Sequence, residues 1–151
     1  MKLILACDLN GGIGYQGKLP WDRLPADLPR FKQLTEGGVV IMGSGTYRSL
    51  PIKPLPNRIN FIVTSNLGFY PSCCFTIPNL DYIKGFNNAW IIGGAKLVNS
   101  NWDVIHEIHL SLVLKEYTCD TFIDRKIITD NFTLTHGSGF GEYSYEIYKR
   151  K

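Results

Sequence analysis

The 151-residue sequence predicts an α/β domain built on a mixed, mostly parallel central sheet with flanking helices and a C-terminal antiparallel hairpin. Three observations predict it. Four short apolar runs rich in Val, Ile and Leu are continuous rather than alternating, which suits strands buried on both faces. Segments of helical character separate those runs. The last third of the chain alternates instead and carries a Gly-rich turn.

The first strand is KLILAC at 2–7. Its apolar stretch falls short of the roughly 7 to 15 residues of a signal-peptide core, and no run approaches the roughly 20 residues of a membrane span. A helix follows at 27–36, then a strand at 39–42 (VVIM) and a helix at 45–50. A strand at 59–64 (INFIVT), a short helix near 79–85, a strand at 89–92 (AWII) and a helix at 95–101 continue the alternation. HEIHLSLVL at 106–114 and YSYEIYK at 143–149 alternate more clearly, and FTLTHGSGFGEYSYEIYK reads as two antiparallel strands. The length suits one domain over 1–151 and leaves little room for a second core.

Hydrophobic residues at 44% and charged residues at 19% exclude a disordered chain. The 16 Lys and Arg residues are scattered apart from Lys149, Arg150 and Lys151, so nucleic acid is not an expected partner, nor is a membrane. The net charge of +3 favours small anionic ligands instead. Cys7, Cys73, Cys74 and Cys119 share no metal-ligand spacing and read as buried or incidental thiols in a reducing compartment. In HEIH, His106 and His109 stand three apart on a strand, hence on opposite faces, so no metal is expected.

In open sheets of this kind ligands gather beyond the carboxyl ends of strands. Two glycine turns lie there: GSGTYRSL after the strand at 39–42 and GGAKLV after the strand at 89–92. Missing side chains let backbone amides approach a phosphate at a helix N-terminus, and together the turns suit two parts of one dinucleotide. Each alone also reads as a tight turn, since GSGTYR lacks the third glycine of the usual dinucleotide fingerprint.

WDRLPADLPRF, residues 21–31, isolates one acid among apolar neighbours. Asp27 reads as a helix N-cap, with Pro29 tolerated in the first turn. It also reads as a ligand-gripping acid, because Asp27 and Phe31 are four apart and share a helical face. A carboxylate beside an aromatic wall holds a flat heterocycle by accepting paired N–H bonds from an amidine-like edge, and assists proton delivery.

The order of motifs resembles the dihydrofolate reductase family nearly from end to end. It runs through GGIGYQGKLPW (11–21), LPADLPRFK (24–32), VIMGSGTYRSL (40–50), PLPNR (54–58), IIGGAKL (91–97), HLSLV (109–113) and DTFID (120–124). The resemblance implies NADPH as cofactor and 7,8-dihydrofolate, reduced to tetrahydrofolate, as small-molecule substrate. It assigns Asp27 to the pterin's amino-pyrimidine edge and to support of ring protonation, with the proton arriving through water. Trp21 would order that water. Leu28, Phe31 and Leu50 would line the pterin and benzoyl pocket, Ile4 and Ile92 would offer backbone carbonyls to the pterin amine, Ser111 would bond Asp27, and Arg58 would bind the substrate's glutamate α-carboxylate.

On the cofactor side the resemblance assigns Ala6, Ile13, Gly14 and Leu19 to the nicotinamide, within a mobile loop over 10–21 for all but Ala6. Gly43, Ser44, Gly45, Thr46, Thr64, Ser65 and Leu97 fall in cofactor-binding positions. Gly93 and Gly94, joined by a cis peptide in the family, lie with Ala95 and Lys96 against the phosphates. Ser44 and Gly45 stand where many members place basic residues against the adenosine 2′-phosphate, so a modest preference for NADPH over NADH is expected, with Thr64, Ser65 and Lys96 as compensating groups. Leu19 replaces a common loop methionine, and Asn57 stands before Arg58 where glycine is common. The family further implies a cytoplasmic monomer, in host cytoplasm if the source is viral, that binds antifolates. A riboflavin-pathway reductase of the same fold lacks the pattern of Asp27 and Phe31, and a non-catalytic folate- or nucleotide-binding protein would not need Asp27, Trp21, Gly93 and Gly94 together.

Overall fold

The structure, a computed structural model, describes residues 1–66, 68–86 and 88–151. In chain order the elements are β1 (Lys2–Cys7), β2 (Gly12–Gly14), α1 (Asp27–Thr35), β3 (Val39–Gly43), α2 (Ser44–Ser49), β4 (Ile59–Val63) and β5 (Phe75–Ile77). They continue with β6 (Ala89–Gly93), α3 (Ala95–Asn99), β7 (Glu107–Val113), β8 (Thr121–Phe122), α4 (Arg125–Asn131), β9 (Phe132–Gly139) and β10 (Tyr143–Arg150). Eight strands form one sheet in the order β5-β4-β3-β6-β1-β7-β10-β9, and β2 pairs with β8 beside it. Pairing is parallel from β5 to β7 and antiparallel for β10 with both neighbours.

The continuous apolar runs occupy the middle of this sheet because both faces are covered. Along β3, Val39 and Ile41 join the large core that includes Leu3, Ile91, Leu97 and Ile108, while Val40 and Met42 turn to a second cluster with Tyr47 and Ile62. A two-residue repeat that is apolar in both phases has no solvent face to offer.

Several expectations need correction. HEIHLSLVL does not alternate between core and solvent: from Ile108 to Val113 every residue of β7 is buried, because β1 and β10 flank it and both faces are packed. The segment near 79–85 is a 3-10 turn, Leu80–Ile83, and the helix expected at 95–101 ends at Asn99, with a second 3-10 turn at Trp102–Val104. The short elements β2, β5 and β8 and the helix α4 were not expected at all. Asp124 caps α4 by accepting from the Lys126 amide at 3.1 Å, a signal the sequence carried. Among the described residues no helix is long and apolar enough to cross a membrane, and no cluster of His, Cys, Asp or Glu is arranged to hold a metal. Cys7 is an inert thiol, its burial pushing it up to about 12.

Asp8, fully buried just past β1, fixes the loop that follows. Its Oδ1 accepts from the amides of Asn10 (2.9 Å) and Gly12 (2.8 Å), and its Oδ2 from that of Tyr117 (2.9 Å). Gly12 must lack a side chain here, since a Cβ would sit 2.3 Å from Cys119 Sγ. One carboxylate thus ties the 9–14 turn to the strand-exit loop after β7. Asp8→Ala strips three amides of a charged acceptor and is expected to destabilise the fold by about 3 kcal/mol, with Asp8→Asn losing less; denaturant unfolding at neutral pH measures both, and equal stability of Asp8→Ala and the parent would refute the account.

Candidate functional site

The parallel ladder between β1 and β6 ends at the pair Leu3↔Ile91. On the other side of β6 the register with β3 slips between Ile41 and Met42, so that Met42 faces Gly93 and Ile92 is passed over. Ile4 and Ile92 therefore meet at the point where the two strands part, and a cleft opens there. It has a volume of about 590 Å³, and Ile4, Ala6, Ile13, Gly14, Leu19, Leu28, Phe31, Leu50 and Ile92 are among the residues lining it. Leu19 and Leu28, at its rim, are 65% and 60% exposed.

Asp27 is the single carboxylate lining this cleft among the described residues. The cap reading fails on geometry: Ala26, in the left-handed region at φ 67°, occupies the cap position, and the Asp27 side chain makes no capping bond. Its Oδ1 instead accepts the Ser111 hydroxyl at 2.5 Å, across 84 residues of chain, from the middle of β7. Arg30, one turn along α1, places Nη1 3.7 Å from the same oxygen.

A second cleft of about 740 Å³ adjoins the first, sharing Gly45, Thr46, Gly94 and Thr121. It is lined by the start of α2 (Gly43, Ser44, Gly45, Thr46), the start of α3 (Gly94, Ala95, Lys96, Leu97), and Thr64 and Ser65 at the exit of β4. First-turn amides that no intrahelical carbonyl satisfies are donors for anionic groups, and Lys96 adds the one cation of this lining. The Gly93-Gly94 peptide is cis. Gly93 has φ 129°, which disfavours any side chain, and a Cβ on Gly94 would lie 3.3 Å from Thr46 Oγ1. The backbone is thus bare where the clefts join, and the second cleft offers hydroxyls, amides and one lysine to an anionic dinucleotide.

Two expected residues stand apart from the cleft walls. Trp21 is buried with Leu24, Val113 and Tyr143, edge-on to Tyr117 at 5.8 Å, and does not line the first cleft. Arg58 lies beyond the lining as well, where Nε donates to Pro56 O (2.8 Å) and Nη1 to Thr35 Oγ1 (3.1 Å), with its guanidinium 5.9 Å from the Phe31 ring.

Sequence reasoning missed Arg30, His109, Tyr145 and Thr121, all of which line the first cleft. Alternation from Ser111 places His109 on the same face, and the β7–β10 register sets Tyr145 opposite Ser111; the first signal was available in the sequence, the second was not. Tyr145 Oη bonds His109 Nδ1, and His109 Nε2 lies 2.8 Å from Glu107 Oε2, which Lys2 also approaches (3.6 Å), while Lys149 approaches Glu107 Oε1 (3.8 Å). Burial pulls the His109 imidazole below its ordinary value although Glu107 opposes it. Burial works to raise Glu107, but the His109 bond and the two lysines outweigh it and leave the carboxyl below its ordinary range. At neutral pH the pair is therefore a neutral imidazole donating to a carboxylate, with Nδ1 free to accept the Tyr145 hydroxyl.

Comparisons with known proteins converge. The family model described as dihydrofolate reductase matches residues 1–149. The bifunctional dihydrofolate reductase-thymidylate synthase of Paramecium tetraurelia is 36% identical over 134 residues; that match covers 85% of this chain but 29% of the bifunctional protein. Dihydrofolate reductase type 8 of Escherichia coli is 32% identical, with 100% of this chain and 96% of that protein covered. Among solved structures, dihydrofolate reductase from Enterococcus faecalis, complexed with NADP(H) and RAB-propyl, superposes with a TM-score of 0.83 at 26% identity, covering 99% of this chain and 95% of that one.

The state of His109 carries a stability consequence. Because its folded value lies below the ordinary 6.5, the unfolded chain takes the proton first as pH falls, so stability is full above that value and declines below it. His106, lowered by burial and the N-terminal amine, adds the same sign. His109→Gln is expected to flatten the decline between neutral pH and pH ~5 without abolishing it, read from denaturant midpoints across that range; an unchanged slope would exclude His109 as its source.

Proposed function

Because the chain belongs to the dihydrofolate reductase family, we propose that it reduces 7,8-dihydrofolate to 5,6,7,8-tetrahydrofolate with NADPH, through Asp27 in the first cleft and the bare glycine backbone that joins it to the second. One observation carries this assignment: among the described residues Asp27 is the only carboxylate lining the first cleft, and Ser111 holds its Oδ1. NADPH supplies hydride to a ring carbon when bound. Asp27 accepts paired N–H bonds from the amino-pyrimidine edge and fixes the ring, and its negative charge favours protonation of the adjoining ring nitrogen, to which water brings the proton. Ile4 and Ile92 offer carbonyls from strand edges released by the ladder's end. Leu28, Phe31 and Leu50 exclude water from the ring.

Arg58 suits the substrate's α-carboxylate, since its guanidinium is oriented by Pro56 and Thr35 before any ligand arrives. Trp21 acts from behind the wall, buttressing the loop at 10–21 against Tyr117 rather than touching substrate. For the cofactor, Ala6, Ile13, Gly14 and Leu19 serve the nicotinamide side, and Gly43 to Thr46, Thr64, Ser65 and Gly93 to Leu97 serve the phosphates and adenosine. The residues present fit that group, as the bare backbone at Gly93 and Gly94 and the amide-lined second cleft require little else. The proposal extends to residues 1–151 acting as one domain, as a cytoplasmic monomer that binds antifolates.

Purified protein mixed with dihydrofolate and NADPH should consume reduced nicotinamide absorbance, and Asp27→Asn should lower turnover at neutral pH by at least about a hundredfold. A folded parent without turnover would favour a binding role or another reductase substrate. Preference for NADPH over NADH in kcat/KM should stay below about a hundredfold, since Ser44 and Gly45 supply no cation and one charge-assisted contact from Lys96 is worth roughly that factor. A preference of several hundredfold would assign the phosphate to further groups.

A further inference from the structure

Arg30 stands where the site as described does not need a cation. Its side chain is 16% exposed and its Nη1 lies 3.7 Å from Asp27 Oδ1, and this buried nitrogen has no hydrogen-bond partner among the described residues. The rest of the guanidinium is boxed in by the C-terminal hairpin. Nη2 donates to Tyr143 Oη at 3.3 Å, and the charge centre lies 4.0 Å from the Tyr145 ring and 4.7 Å from that of Phe140. Phe140 stacks on Tyr143 at 5.2 Å, and Tyr145 is held by His109. These contacts hold the guanidinium against the hairpin, with Nη1 on the side of the acid.

We propose that Arg30 is a specificity-determining residue: by neutralising the Asp27 carboxylate it disfavours ligands that bind as cations, such as a protonated 2,4-diamino ring, relative to the neutral 2-amino-4-oxo ring of the substrate. An isolated buried carboxylate gains most from a ligand that brings a proton and a full charge. A carboxylate already facing a guanidinium gains less, because the ligand's charge meets Arg30's across the acid. His109, neutral at physiological pH, adds no charge on that side, and Lys18 elsewhere in the lining makes the cleft no more receptive to cations. This inference rests on the reading of Asp27 as the ring-binding acid.

Folate and its 4-amino analogue differ by one exocyclic group and share their tails, so the ratio of their dissociation constants, measured by titration with NADPH present, isolates the ring charge. Arg30→Gln, which keeps a donor for the Tyr143 hydroxyl, should shift this ratio about tenfold toward the 4-amino ligand, the scale of like-charge repulsion across roughly 7 Å at intermediate dielectric. Arg30→Lys should retain the parent ratio. If both affinities move together in Arg30→Gln, Arg30 is a structural tie between α1 and the hairpin and the proposal is overturned. Should Arg30→Gln fail to fold, Arg30→Met, which keeps apolar packing against the hairpin but removes the charge, is read in its place, and an unshifted ratio there overturns the proposal. Asp27→Asn separates the two readings. Unchanged affinity for both ligands would remove the assignment of Asp27 itself, whereas weakened binding of both with an unshifted Arg30→Gln ratio removes this inference alone.

Discussion

The β1–β6 ladder stops after Leu3↔Ile91, and the site depends on that stop. A parallel sheet covered on both faces has no free surface along its length; every backbone group inside it is paired and every side chain packed. Ligand space exists only where pairing ends. Here it ends early on one side of β6 and slips by a residue on the other, so that Ile4 and Ile92 leave the ladder facing each other. The Gly-Gly turn follows at once, with no Cβ to refill the gap.

The acid in this gap comes from outside the sheet. α1 begins at Asp27, one residue after a left-handed Ala26, and its register is fixed from two directions. Ser111 holds the carboxylate from β7, and the Tyr143 hydroxyl, which donates to Pro25 O at 2.5 Å, holds the helix entry from β10. Arg30 packs into the same hairpin. The last strands of the chain thus position the first helix, although that helix precedes them by about a hundred residues. Long-range closure of this kind lets a short helix present a carboxylate in a defined orientation without a side-chain cap of its own.

What was legible in the sequence follows from which forces are local. The central strands announced themselves because apolar residues in both phases admit only double burial. Asp27, Leu28, Phe31 and the two glycine turns stood out through residue type and spacing, and the ordered motifs pointed to their family. β7 was misread because HEIHLSLVL mixes polar and apolar residues, yet Ser111 and His109 are buried with partners that lie far off in sequence. Strands of two or three residues such as β5 and β8 carry no period long enough to detect; their neighbours make them. The helix α4, rich in β-branched residues, was hidden by its own composition despite the Asp124 cap. Arg30 stands three residues from Asp27 on α1 and was within reach of helical spacing; Tyr145 escaped for a deeper reason, since it reaches the cleft only once the hairpin has docked.

The same logic distinguishes Asp27 in the first cleft from Arg58 beyond its wall. Beyond the cleft wall Arg58 is held by neutral acceptors, with Thr35 in turn donating to Phe31 O at 2.8 Å and Asn60 bracing the loop through Leu55 and Arg58 carbonyl contacts. Among the described residues no carboxylate forms an ion pair with it; burial works against its charge and the more distant Glu36 only partly offsets that, so on the proposed reading the substrate's carboxylate meets an oriented cation. In the cleft the anion, Asp27, already faces a cation. On the proposed reading, a ligand anionic at its tail and neutral at its ring therefore matches both groups. Exchanging the ring's neutrality for a positive charge would improve one local contact while setting it against Arg30, and that opposition arises from the hairpin's packing rather than from the residues that touch the ligand.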